Sequence, residues 1–121
     1  MTRAGPGKSE SGARLRAICL APPEAEEEPM KRGPSYRVAG KIFALERGRD
    51  EGVALWCKVP FGSQQLLRVA DPERFFVPPY FGAKGWIGVG LDGATDWREI
   101  ERFVRAGYAL VAPKRRAARA P

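Results

Sequence analysis

The six residues GVGLDG at 88–93 match the spacing G-x-G-x-x-G, which holds the pyrophosphate of a dinucleotide in many enzymes. That motif needs a strand before its first glycine and a helix that begins within it, so that the helix N-terminus faces the phosphates. Here Gly88 and Gly90 alternate with apolar residues inside a predicted strand, and a helix pattern starts only near Asp96. The pattern favours a strand and a turn, with the strand glycines leaving room for a side chain or backbone that crosses the sheet. No cofactor is predicted.

The other residues that could do chemistry are few, because the chain has no histidine, the commonest general base and metal ligand. Asp92 and Asp96 flank a turn, where turn formation and helix capping explain them. The acidic run at 24–28 lacks the interleaved glycine and oxygen ligands of a calcium loop, which favours a solvated charge run. Cys57 has no activating neighbour, since Lys58 points to the opposite face of the same predicted strand. We therefore predict a protein that is not an enzyme and binds no metal.

Positive charge is the remaining chemical signal. The net charge is +7, of which +4 lies in the last eight residues and +2 in residues 13–113. Long cations near loop tips can bind phosphates, with Trp or Tyr side chains packing against sugar or base. Ordinary solvated charges of a basic proteome are the alternative explanation. The candidate nucleic-acid-binding residues are Arg37, Lys41, Arg47, Arg49 and Lys84 in the body, with Lys114, Arg115 and Arg116 in the tail.

Length and composition indicate how these residues are held. A chain of 121 residues has room for one domain, assigned to 13–113, between a disordered lead-in at 1–12 and a basic tail at 114–121. The longest uncharged apolar stretch is about half the length of a membrane span, and two cysteines at apolar-face positions are typical of reduced thiols in a core. We expect a cytoplasmic protein that does not enter a membrane.

Hydrophobic periodicity predicts a helix at roughly 12–21 behind a Ser11 cap, and a helix that opens on an Asp96–Glu99 capping box. Ser63 is predicted to cap a short helix between them. The remaining predicted elements are a tight hairpin at 35–46 turning at Ala-Gly, a polar loop at 47–52, a strand at 53–59, an edge segment or ordered loop at 75–85, and a strand that includes 86–91. This order predicts an α+β fold in which helices pack on an antiparallel meander with a further strand.

Four stretches resemble the MmcQ/YjbR-like family. They are LAPPEAEEE (20–28), YRVAGKIFALE (36–46), DPERFFVPPYFGAKGWIGVGLDG (71–93) and DWREIERFVRAGYALVAPKR (96–115). The resemblance covers roughly residues 13–116 and implies an antiparallel sheet with packed helices, likened to frataxin-like and secretion-chaperone-like folds. It implies no catalytic residues. Some relatives have Asn-Lys-x-His-Trp where this chain has Ala83, Lys84, Gly85 and Trp86, so that histidine is absent here.

The resemblance also implies binding to DNA through two loop wings, and together with the cations at turns it gives the leading hypothesis. This hypothesis is a DNA-binding protein, monomeric or weakly dimeric, that contacts the phosphate backbone with weak or no sequence preference. The rival hypothesis is a small scaffold that binds a protein or a metabolite through the stretch 75–83, since proline and aromatic residues favour a stiff contact surface.

Overall fold

The computed structural model describes residues 8–49 and 52–113, which form one antiparallel sheet with helices packed against it. The strand order is β1-β2-β3-β4-β6-β5, and every neighbouring pair is antiparallel. The predicted α+β fold is confirmed. In chain order the elements are α1 Lys8–Cys19, β1 Glu26–Glu28, β2 Ser35–Val38, β3 Lys41–Arg49, β4 Gly52–Lys58, α2 Ser63–Ala70, β5 Phe75–Phe76, a 3-10 helix Phe81–Lys84, β6 Trp86–Leu91 and α3 Trp97–Val111.

The core lies between the sheet and helices α1 and α3. In β4 and β6 every second side chain points to this side, because successive residues of a strand face opposite sides of the sheet. Paired residues of the two strands, such as Cys57 and Ile87, share a face. The predicted apolar stripe of α3 is confirmed, with Ile100, Val104 and Tyr108 buried. The fully or almost fully buried sheet residues on this side include Ala44, Val53, Leu55, Cys57, Ile87 and Val89.

The predicted helix ends need three corrections. Helix α1 begins at Lys8, so the predicted start near 12 is late, and Ser11 is a buried residue within the first turns rather than a cap. Gly62 caps α2 in a left-handed conformation, and the predicted Ser63 cap is wrong because Ser63 is already helical. Asp96 does cap α3, accepting a bond from the Arg98 N–H at 3.1 Å. Its expected partner Glu99 instead pairs with Arg74 at 2.6 Å, so the capping box is half formed.

The strand pattern also differs from the prediction at two places. The predicted loop at 47–52 is wrong on its N-terminal side, because β3 continues to Arg49 and pairs with β4 as far as Gly52. The acidic run contributes a short edge strand, β1, whose residues are all exposed. Its Glu27 and Glu28 pair with Arg16 and Arg37. Neither the end of β3 nor β1 has the alternation of apolar and polar residues on which strand prediction depends.

The predicted hairpin turn joins β2 and β3 through Ala39 and Gly40. Both residues have positive φ, 52° and 79°, as a two-residue turn of type I′ requires. Glycine tolerates this conformation, whereas the Cβ of Ala39 makes it unfavourable.

Replacing Ala39 by asparagine, which is favoured at this position of a type I′ turn, is expected to raise the free energy of unfolding by about 0.5–1 kcal/mol. Urea unfolding monitored by circular dichroism measures this as a higher midpoint with an unchanged slope. A midpoint that is unchanged or lower would contradict the turn geometry.

Within the described ranges, no helix is long and apolar enough to cross a membrane.

Candidate nucleic-acid interface

The sheet has a second side, facing away from α1 and α3, which we call the outer face. The strand register places Leu45, Arg47, Trp56 and Trp86 on it, because they alternate with core residues or lie opposite one another across strands. Aromatic rings cover part of this face. The ring of Phe81 lies 6.2 Å from that of Trp56 and 4.8 Å from that of Trp86, between ring centroids.

The two glycines of the GVGLDG stretch make space on the outer face. A Cβ at Gly88 would collide with the ring of Phe76, and a Cβ at Gly90 would collide with a terminal nitrogen of Arg49. Arg49 also lies over the Phe76 ring, with its Cζ 4.5 Å from the centroid. The prediction that these glycines leave room for a crossing side chain is confirmed, and the residues that cross are a phenylalanine and an arginine.

Arg47 is a buried structural residue of β3, with 8% of its surface exposed. One terminal nitrogen donates to the carbonyl oxygens of Gly33 at 3.2 Å and Glu46 at 2.9 Å, and the guanidinium lies over Trp56. Burial, with the nearby charge of Arg32, lowers the pKa of Arg47 from its usual value. Its donors hold the loop before β2 against β3, which leaves little of the side chain for a phosphate.

Arg49 is likewise engaged with the protein. Its two terminal nitrogens donate to the carbonyl oxygens of Arg74 at 3.3 Å and Glu73 at 3.0 Å. Together with the contact to Phe76, these bonds fasten the end of β3 to the segment before β5. Arg47 and Arg49 therefore lie toward one end of the sheet, near the β3–β4 connection, and both stabilise the fold.

The other predicted cations lie toward the opposite end. The β2–β3 turn, the end of β4 and the start of β6 meet there, because Ala44 pairs with Cys57, and Lys58 with Trp86. Lys41 follows the turn and is exposed, and Lys84 is exposed just before β6. Lys58 lies on the outer face between them, a residue that sequence reasoning placed on this side of β4 but did not select.

These three lysines, Lys41, Lys58 and Lys84, are here called the lysine end. They belong to β3, to β4 and to the 3-10 helix before β6, and neighbouring strands are about 4.8 Å apart, so their backbones span roughly 10 Å across the sheet. None of them takes part in an ion pair within the described ranges. A cluster of unpaired cations at one end of a sheet can contact phosphates.

Arg37 lies beside this end of the sheet, on β2. Its Nε donates to Ser35 Oγ at 3.3 Å and pairs with Glu28 at 2.7 Å. Both contacts use the same nitrogen, so the terminal nitrogens are left for another acceptor. The tail residues Lys114, Arg115 and Arg116 lie outside the described residues, and their role stays a prediction.

The aromatic stretch at 75–83 mostly folds onto the sheet. Phe75 is buried, and its neighbour Phe76 packs over Gly88. The side-chain amide of Gln64 fastens the end of the stretch to α2. It donates to the carbonyl oxygens of Gly82 at 3.0 Å and of Trp86, in β6, at 2.7 Å. The large apolar side chains that remain exposed in this stretch are Val77 and Tyr80, at 40% and 72%. The rival hypothesis of a binding scaffold therefore depends on these two residues.

A second exposed apolar surface lies between α2 and α3. Leu66 is 74% exposed beside a groove of about 390 Å³ that Phe103 also lines, and Phe61, just before α2, is fully exposed. Sequence reasoning did not select this surface, because the apolar residues of α2 have the spacing of a core-facing helix.

The carboxylates have the structural roles that sequence reasoning favoured. The side chain of Asp92 accepts the Ala94 N–H at 2.8 Å, which closes the turn after β6. No cluster of three potential metal ligands occurs in the part of the chain that the structure describes.

Both thiols are buried in the core. Burial raises the pKa of Cys57 to about 12 and that of Cys19 well above its ordinary value. An activated nucleophile requires a lowered pKa, so these environments oppose catalysis by either thiol.

The raised pKa of Cys57 predicts that the protein loses stability at high pH. Below pH 9 the thiol is protonated in both the folded and the unfolded state, and its full contribution to stability is present. Between pH 9 and 12 the unfolded chain ionises while the folded one does not. The free energy of unfolding should fall there by up to about 1.4 kcal/mol per pH unit for this thiol.

Urea unfolding at pH 8, 9, 10 and 11 tests this, with the variant Cys57→Ala as the control that isolates this thiol from the other groups that titrate. The variant should show a shallower decline above pH 9. Parallel declines in both proteins would contradict the assignment.

The comparisons with known proteins agree with the fold. No curated protein matches the sequence. The crystal structure of Deinococcus radiodurans protein DR2400, which contains the family domain DUF419, matches with a TM-score of 0.69 and 24% identity, over 79% of this chain and 74% of that one. At that identity the similarity concerns the fold. The family model YjbR matches residues 20–110, which is most of the described chain. The protein therefore belongs to the YjbR family.

Proposed function

We propose that this protein binds DNA without catalysis, contacting the phosphate backbone with the lysine end of the sheet. The observation that carries the proposal is the meeting of Lys41, Lys58 and Lys84 at one end of the sheet with no carboxylate paired to them among the described residues. Arg37 lies beside them, paired with Glu28 through Nε, and its terminal nitrogens are left to donate to a phosphate. Phosphate contacts of this kind supply affinity without reading sequence, so we expect weak base preference.

The charge balance supports this choice of partner. Two of the three glutamates of β1 are paired with arginines, Glu28 with Arg37 and Glu27 with Arg16. Of this acidic strand, Glu26 is left to offset part of the charge of the lysine end. The basic residues 114–116 follow α3 in sequence, and we propose that they add to the attraction.

Fluorescence anisotropy with a labelled 20-base-pair duplex, titrated between 50 and 200 mM salt, tests the proposal. Each phosphate that is neutralised contributes about 0.9 to the negative slope of log K against log salt. Three or four contacts should give a slope near −3. The absence of binding at the lowest salt concentration would refute the proposal, and binding that is lost on removing residues 114–121 would assign it to the tail instead.

A further inference from the structure

The backbone of Tyr80 has a conformation that is unfavourable for any residue other than glycine. Its φ is 67° and its ψ is −60°, and the Phe81 N–H donates to the Pro79 carbonyl oxygen at 2.6 Å across it. This is a γ-turn with a positive central φ, which is rare and strained. The neighbouring Pro78 is buried, and its carbonyl oxygen accepts the Gly82 N–H at 2.7 Å, which fixes the turn.

The strained turn displays an aromatic ring to solvent. Tyr80 is 72% exposed. Its ring makes a T-shaped contact with the ring of Phe81, with 5.3 Å between the centroids. Lys84 places its Nζ 4.8 Å from the Tyr80 centroid. A residue that served only the fold would be better replaced here by glycine, because the exposed ring buries little surface and the backbone favours positive φ. Backbone strain of this kind is often retained for function.

An exposed ring beside a lysine has the chemistry to bind an unpaired nucleotide. Bases stack on aromatic rings with little dependence on sequence, and the adjacent ammonium group can pair with the phosphate. Bases within a duplex are already stacked on each other and cannot reach such a ring. We propose that Tyr80, with Lys84, is a stacking site for an unpaired base, so that the protein prefers single-stranded DNA over duplex. This inference rests on the proposed function, because it shares Lys84 with the lysine end.

The variant Tyr80→Gly separates binding from folding. It removes the ring and relieves the positive φ, so the melting temperature should be unchanged or higher. Affinity for labelled dT12, measured by anisotropy, should fall roughly 5- to 150-fold, the range expected for losing one base stacked on an aromatic ring. Tyr80→Phe keeps the ring and should keep the affinity. Phe61→Gly removes another exposed aromatic residue, just before α2, and should leave dT12 binding unchanged.

The remaining outcomes refute either the stacking site alone or the stacking site together with the proposed function. If wild-type protein binds a 12-base-pair duplex at least as tightly as dT12, or if Tyr80→Gly binds dT12 as wild type does, the stacking site is refuted while the proposed function stands. A marked loss of melting temperature in Tyr80→Gly would make Tyr80 a packing residue and refute the inference in the same way. If neither DNA binds, the proposed function and the inference both fall.

Discussion

Replacing Gly33 by alanine is expected to lower the free energy of unfolding by about 3 kcal/mol or more, the sum of a strained backbone and a steric collision. Gly33 has a φ of +135°, and a Cβ there would meet the carbonyl oxygen of Glu46 in β3. That oxygen cannot move freely, because the backbone N–H of Glu46 donates to the Pro34 carbonyl and its own oxygen accepts from Arg47. The substitution would therefore displace the loop that Arg47 holds.

The control for this variant is Gly40→Ala. Gly40 also has a positive φ, +79°, but nothing lies within 4 Å of a Cβ built on it. It should lose only the cost of the conformation, about 1 kcal/mol. Urea unfolding of both variants measures the difference. Equal losses would show that the close approach of Gly33 to β3 has no energetic consequence.

The second large effect is expected at Gly88, where alanine should cost about 2 kcal/mol because its Cβ collides with the Phe76 ring. That ring is held between Arg49, 4.5 Å away, and Trp56, whose ring centroid is 6.5 Å away. Gly48→Ala is the matched control within a strand, because the nearest atom to a Cβ there is 4.0 Å away. It should be neutral or slightly stabilising.

A double-mutant cycle assigns the cost of the Gly88 substitution to the ring. In a Phe76→Ala background, Gly88→Ala should cost much less than in wild type, with a coupling energy of about 1 kcal/mol or more. Thermal or urea unfolding of the four proteins gives this number. Additive effects would contradict the contact between Phe76 and Gly88.

The elements that sequence predicts well are those with a clear period. The alternation of β4 and β6 and the apolar stripe of α3 determine which residues face the core, and the Asp96 cap follows from its position before that stripe. The space at Gly88 and Gly90 was predictable in kind, since glycines inside a strand favour a close approach. Which side chains fill that space depends on contacts between residues distant in sequence, such as Phe76 with Gly88.

The elements that sequence predicts poorly lack such a period. Arg47 and Arg49 lie among glycines and acids, a composition typical of a loop, yet they continue β3 because their long side chains find acceptors across the sheet. The three glutamates of β1 have low strand propensity and form an edge strand by pairing with β2. Tyr80 has the residue type of a core position, and its exposure follows from a turn that neighbouring prolines and Gly82 impose.

The candidate site is accordingly narrower than the sequence prediction. Two of its predicted body cations, Arg47 and Arg49, are engaged with the protein. Lys41 and Lys84 are exposed at the same end of the sheet, with Arg37 beside them. Lys58 joins this group through the pairing of β4 with β6.

The most direct test of the account compares two pairs of charge removals in the full chain. The variant Lys41→Gln/Lys84→Gln removes two charges from the lysine end, and Arg102→Gln/Arg105→Gln removes two exposed charges from α3, the helix that packs on the core side of the sheet. The salt dependence of DNA binding is measured for both. We expect the lysine pair to reduce the magnitude of the log–log slope by about 2, at roughly 0.9 per phosphate contact, and the arginine pair to leave it unchanged. An equal change in both variants, or none in the lysine pair, would contradict it.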